Sequence, residues 1–106
     1  MPAAPKRLWW RCPAHLKWLV ENNHCCVPCC GAWAQEAHHV RWETDGSMKR
    51  KPSDHYAVPL CAMHHREIHG AGERKFWDDR GLSGRIMAGH FHAASPHKHQ
   101  GKMGMK

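Results

Sequence analysis

Read for its apolar and polar positions, the chain divides into short elements. Residues 13–22, PAHLKWLVEN, place Leu16, Leu19 and Val20 on one helical side with Trp18 nearby, and Pro13 suits a first helical position. Asn22 and Asn23 end that helix, and HCCVPCCGAW follows as a cysteine-rich turn with a proline inside it and a glycine after it. Residues 37–42, AHHVRW, are β-branched and aromatic and suit a short strand. The polar loop ETDGSMKRKPSD carries a hairpin signal at Asp45-Gly46, and HYAVPLC returns as the second strand. From Ala62 the pattern turns helical until about Gly70, and GERKFWDDRGL predicts a further short helix with Phe76 and Trp77 as its contacts and Gly81 as its stop. Residues 1–11 are basic and aromatic, with Trp9 and Trp10 among Lys6, Arg7 and Arg11. Beyond Pro96 the polar, glycine-rich HKHQGKMGMK predicts a flexible tail. The division expected is a segment 1–11, a main domain 12–82 and an extension 83–106, with no internal repeat.

Length and composition sharpen this. A chain of 106 residues forms one small domain with a thin core, which makes an added staple such as a metal plausible. Six cysteines could serve disulfides or metal, but MPAAPKRLWWRCP contains no apolar run of signal-peptide length. No window approaches the roughly 20 apolar residues of a membrane span. A reducing, cytoplasmic setting follows as the expectation, and there clustered thiols read as metal ligands. Sixteen Lys and Arg against nine Asp and Glu give a formal charge of +7, which favours a polyanionic partner, most simply nucleic acid.

Cys26 and Cys29 form C-x-x-C, and Cys61 and His64 form C-x-x-H about thirty residues later. Two such knuckles supply the four ligands that structural zinc requires. Cys30 directly precedes Gly31, so the first pair could equally be Cys26 and Cys30; Cys25 is a weaker candidate and Cys12 stands alone. His65 and His69 lie four apart on the expected helix, one turn apart on one face, where they can share an ion. His38 on the upstream strand offers a third ligand, while its neighbour His39 projects at a different angle. Arg41, two beyond His39, faces the same side of a regular strand and could meet a phosphate. Lys49, Arg50 and Lys51 in the loop and Arg66 on the helix are further candidates for a nucleic-acid backbone. Trp9, Trp10 and Trp18 read as core or lid, and His90, His92, His97 and His99 as surface.

Taken together, CCVPCCGAWAQEAHHVRW and KPSDHYAVPLCAMHHREIHGAGERKFW resemble the HNH, or ββα-metal, endonucleases. The likeness is to the phage and prophage subgroup that includes a recombination-enhancement nuclease, and it covers residues 12–82. It is carried by the paired His of AHHV, the VPLC strand, the H-x-x-x-H of HREIH and the interleaved cysteine knuckles. The resemblance implies a small α+β domain with a zinc-stapled ββα-metal hairpin and helix, an N-terminal helix and a disordered basic tail. It implies a phage- or prophage-encoded DNA endonuclease acting in a bacterial host cell, with possible dimers for double-strand cleavage.

By the same resemblance, His38, His65 and His69 hold the catalytic divalent ion, for which Mg²⁺, Mn²⁺, Ni²⁺ and Zn²⁺ all remain open. His39 activates the attacking water as general base, a role suited to imidazole, which as a class titrates near neutrality. The family's middle Asn falls on Tyr56, a departure; the Tyr56 hydroxyl, or Asp54 or His55 nearby, would then have to hold His39. A different class stays open beside this one: a non-catalytic, zinc-stabilised nucleic-acid-binding module derived from a nuclease.

Overall fold

The computed structural model describes residues 8–42, 44 and 51–105. Its elements run β1 (Leu8–Arg11), α1 (Pro13–Asn22), β2 (Glu36–His39), a 3₁₀ turn (Asp54–Tyr56), β3 (Ala57–Leu60), α2 (Ala62–Ala71), α3 (Glu73–Asp79), α4 (Gly84–Ala94) and β4 (Lys102–Met105). The α+β class expected from the sequence holds. Among the described residues, no helix is long and apolar enough to cross a membrane.

The expected strand pair forms between β2 and β3, antiparallel, with His38 opposite Val58 and His39 opposite Ala57. The Asp45-Gly46 turn lies outside the described residues. All four residues of β3 are buried, because α1 and α4 both pack against it. Pro59 is tolerated there because each strand of a two-stranded sheet is an edge, where a missing N–H breaks no second ladder. Val58 and Leu60 meet Val40, Ile68, Phe76, Trp77 and Ala88 in one core, to which Cys25 and Cys61 also belong.

Helix α1 begins on Pro13 and ends at Asn23, whose side-chain amide donates to the Trp18 and Leu19 carbonyls at 3.3 and 3.2 Å. That satisfies acceptors the helix end would otherwise leave unpaired. Its buried side is formed by His15 and Leu19, while Leu16 and Val20 are half-buried. His15 is fully enclosed, with Trp10, Trp18 and His92 rings 5.3, 5.9 and 5.9 Å away, and neither ring nitrogen has a partner among the described residues. Burial, and then the neighbouring His92, push its pKa down to about 4.

Helix α3 buries Phe76 and Trp77 as expected and stops before Gly81 at φ +64°. Between α2 and α3 the chain turns at Gly72, φ +93°, a conformation glycine adopts without a Cβ penalty. Helix α4 lies outside the elements expected from the pattern, since Gly84 and Gly89 weaken its helical signal. Gly84 is required by packing, because a Cβ there would stand 2.7 Å from the Trp77 indole.

The expected disordered tail is corrected. Residues 102–105, expected in a disordered tail, form β4 and pair antiparallel with β1, Arg11 opposite Lys102. The Trp10 indole N–H donates to the Gln100 carbonyl at 2.6 Å, fastening the same join. Residues 8–11 and 102–105 therefore form a strand pair, not a free segment and a disordered tail. No local pattern carries the reason: the two ends pair with each other.

Candidate metal centres and the groups behind them

Among the described residues, two clusters could hold metal ions. The first unites Cys25, Cys30, Cys61 and His64, whose ligand atoms lie within 4.8 Å of one another. Cys61 caps α2, its sulfur accepting the His64 backbone N–H at 3.5 Å, and the helical turn brings His64 Nδ1 to 3.3 Å from that sulfur. Cys25 Sγ stands 3.5 Å from His64 Nδ1, and Cys30 Sγ 3.9 Å from Cys61 Sγ. A tetrahedral zinc with ordinary bond lengths would set sulfur–sulfur edges at roughly 3.8 Å and sulfur–nitrogen edges at about 3.6 Å. The donor set therefore fits such an ion.

This corrects the expected ligand set, because Cys26 and Cys29 are not in the cluster. The segment 24–33 folds back on itself, with Cys25 N–H donating to the Ala32 carbonyl at 2.8 Å, and docks on β3 through Cys26 N–H to the Pro59 carbonyl at 2.9 Å. Cys26 is half-buried and packs against the core, and its thiol is pushed up to about 12, by burial first and then by Cys25. Cys29 sits exposed in the tight turn closed by Cys30 N–H to the Val27 carbonyl, with φ +66°. Cys30, Cys61 and His64 stand as expected, and Cys25, the weaker candidate, completes the set. Burial pushes the Cys25 thiol up to about 11. Burial also works against the Cys61 thiolate, but the His64 N–H and the neighbouring thiols outweigh it and hold Cys61 below the usual thiol range. A lowered thiol at a helix N-terminus is the form a metal binds.

The second cluster unites His38, His65 and His69, again within 4.8 Å. His65 and His69 face each other across one turn of α2 with their Nε2 atoms 3.1 Å apart. Two imidazoles on one ion would stand at roughly 3.0–3.4 Å. Behind them stand carboxylates. His65 Nδ1 lies 2.9 Å from Glu36 Oε2, and His38 Nε2 lies 2.6 Å from Glu73 Oε2. A carboxylate only accepts, so each of these nitrogens carries the proton and the other ring nitrogen keeps its lone pair. Glu73 also accepts from the backbone N–H groups of Arg41 and Trp42, at 2.6 and 2.7 Å. Burial would raise the Glu73 carboxyl, but the His38 bond and these amides together lower it.

His39 points away from the triad, toward Asp54, with Nε2 2.9 Å from Oδ1. Asp54 is almost wholly buried; its other oxygen accepts the Cys12 N–H at 2.7 Å, and Arg11 stands 3.7 Å away. Burial raises the carboxyl, but the bonds from His39 and Cys12 win, so its pKa is lowered. Of the three groups left open for holding His39, it is Asp54 that meets it, not Tyr56. The Tyr56 carbonyl accepts the Val40 N–H at 2.8 Å and the Tyr56 ring packs on His55 at 4.2 Å.

Arg41 lines a depression of about 260 Å³ with His38, His69, Gly72 and Glu73. Arg66 is exposed on α2. Lys51 is exposed and its carbonyl accepts from Arg11 at 2.9 Å; Lys49 and Arg50 lie outside the described residues. Of the supporting carboxylates, Glu36 and Glu73 are absent from the groups expected from the sequence. A signal is present for Glu73, which continues the four-residue spacing of His65 and His69, and for Glu36, two residues before His38 on one strand face.

A family model described as Protein of unknown function (DUF968) matches residues 2–94. The chain belongs to that family. The matched span takes in both clusters and helices α1 to α4. The chain is also similar to a protein of Escherichia coli (strain K12) named "Uncharacterized protein YdfU", 37% identical over 65 residues. That alignment covers 61% of this chain and 18% of the relative, so the chain corresponds to less than a fifth of that protein's length. No solved structure matches it.

Proposed function

We propose that this chain is a metal-dependent DNA endonuclease of the ββα-metal type, stapled by a structural zinc on Cys25, Cys30, Cys61 and His64. One observation carries the reading. Three imidazoles from β2 and α2 converge while a fourth, His39, adjacent to a ligand, is held by a buried carboxylate and not by the cluster. A structural site has no use for that fourth group, whereas hydrolysis needs a base beside an ion. The charge of +7 suits a polyanionic substrate.

Because Asp54 accepts from Nε2, the neutral His39 ring keeps its lone pair on Nδ1. Through Nδ1 it removes a proton from water, whose oxygen attacks phosphorus in line. The bond from phosphorus to the 3′ oxygen breaks, and the departing oxygen takes a proton from solvent, leaving a 3′ hydroxyl and a 5′ phosphate. Asp54 holds the ring's angle and stabilises the imidazolium as it forms. His38, His65 and His69 would hold a divalent ion, which would supply Lewis-acid stabilisation of the phosphate's developing charge. Glu36 and Glu73 fix the ligand rings, and Arg41 adds positive charge to the same depression.

The test is plasmid nicking with Mg²⁺, Mn²⁺, Ni²⁺ or Zn²⁺, by the native chain and by His39→Ala. Nicking should require a divalent ion and fall by about 10²–10⁴-fold in the variant, with metal content and DNA binding retained. Undiminished nicking by His39→Ala would remove His39 from the mechanism. DNA binding without nicking under every ion would leave a binding module instead.

A further inference from the structure

The depression at the triad continues along the protein. It shares Gly72 and Glu73 with a second, of about 510 Å³, that runs along the start of α3 past Arg74 and Lys75. That one in turn shares Asp78 with a cleft of about 210 Å³ between Trp42 and the Ser83–Arg85 turn. The cleft is roughly the volume of seven liquid waters, room for one flat ring system and not for a base pair.

Its wall is unusual for a solvent-facing surface. Trp42 is 42% exposed, although covering an indole would be favourable. The Arg74 guanidinium stands 4.6 Å from its ring centre. The Trp42 backbone is tied to the triad, because Glu73 accepts its N–H with one oxygen and meets His38 with the other. Trp77, Asp78, Leu82 and residues 83–85 complete the lining, with Arg85 exposed. Arg74 also pairs with Asp78, which lines the cleft, at 3.6 Å, so the Trp42 platform and the Arg85 guanidinium are the groups that match a heterocycle carried on an anionic backbone.

We propose that the Trp42 cleft takes an unpaired nucleobase of single-stranded DNA, flanking the phosphate held at the triad. This rests on the endonuclease reading. A base within a duplex is stacked on both faces and paired, so entry would require flipping it out. The cleft therefore makes single-stranded or frayed DNA the preferred substrate.

The test uses the full chain carrying His39→Ala, with fluorescein-labelled 20-mers, single-stranded and duplex, followed by anisotropy. Adding Trp42→Ala should weaken single-strand binding roughly tenfold, the loss of one base–aromatic stack, and leave duplex binding within twofold. Trp42→Phe should keep most of the affinity. Trp33→Ala should change neither; Trp33 is 63% exposed and stacked on His24 at 4.0 Å, away from this path. Equal loss on both DNAs, or loss on neither, would overturn the cleft.

A second arm moves one abasic nucleotide stepwise along a strand cut by the native chain. Suppression at a single offset from the cut is expected, and uniform suppression or none would count against the proposal. The two readings fail separately. Trp42-dependent single-strand binding without any cleavage keeps the cleft and removes the nuclease, and cleavage indifferent to Trp42 does the reverse.

Discussion

The two clusters share α2 yet are built differently. Cys61 and His64 turn inward into the core, where the thiols are enclosed and their sulfur–nitrogen distances already approximate a tetrahedron. One residue further on, His65 faces a different way, toward His38 and His69, and is steadied by a carboxylate that is itself 50% exposed. A ligand set buried in a core has nowhere to admit a substrate and can act only on stability. The set at the surface, with three ligands and carboxylates behind them, leaves room for one. Adjacent positions on one helix thus enter different clusters because they lie about 100° apart around its axis.

The largest effect should separate the clusters outright. Cys61→Ala removes a ligand and the α2 cap together, and should cost several kcal/mol, seen as loss of cooperative unfolding by circular dichroism and loss of bound metal. His65→Ala should leave a folded chain that has lost only its second ion and its nicking activity. If His65→Ala unfolds the protein as Cys61→Ala does, the distinction between the clusters is wrong. The assignment within the first cluster sharpens the same point: Cys25→Ser should lower metal content, whereas Cys29→Ser should not, since Cys29 is exposed at the turn.

Next comes the group behind His39. Asp54→Asn keeps shape but removes the charge that orients and stabilises the ring, and should reduce nicking about 10–100-fold with the ion still bound. Because the Asp54 and Glu73 carboxyls are held below their ordinary values, their contribution to stability is present above the unfolded-state carboxylate pKa and is lost as pH falls through the folded value.

The smallest effect contrasts a histidine backed by a carboxylate with one that has no hydrogen-bond partner among the described residues. His15 is held down to about 4, so it stabilises the fold when neutral, and that contribution declines as pH falls below about 6.5 toward 4. Between pH 7.5 and 5 the loss should be about 2 kcal/mol, read from denaturant melts, and His15→Leu should flatten it. An unchanged pH slope in that variant would assign the acid sensitivity elsewhere.

Much of α2's chemistry is legible in the amino-acid sequence. H-x-x-x-H and C-x-x-H are statements about helical pitch, and pitch is local. The α1 and α3 boundaries follow for the same reason, from Pro13, Asn23 and Gly81. The choice among four crowded cysteines is not legible, because residues 25–30 carry no regular period that would say which thiols face inward.

What the sequence by itself determined, then, is the chemistry on offer: the ligand types, their spacing along α2, the strand bearing His38 and His39, and the apolar pair Phe76 and Trp77. Tertiary structure decided which of those groups meet. Cys25 was selected over Cys26 and Cys29 by hydrogen bonds between its loop and Pro59 and Leu60 of β3. Asp54 reached His39 across fifteen residues, and Glu73 reached His38 across thirty-five. The chain's two ends joined as β1 and β4. Side-chain direction along a helix follows from geometry repeated every few residues, whereas these contacts depend on how whole elements pack, which no short window encodes.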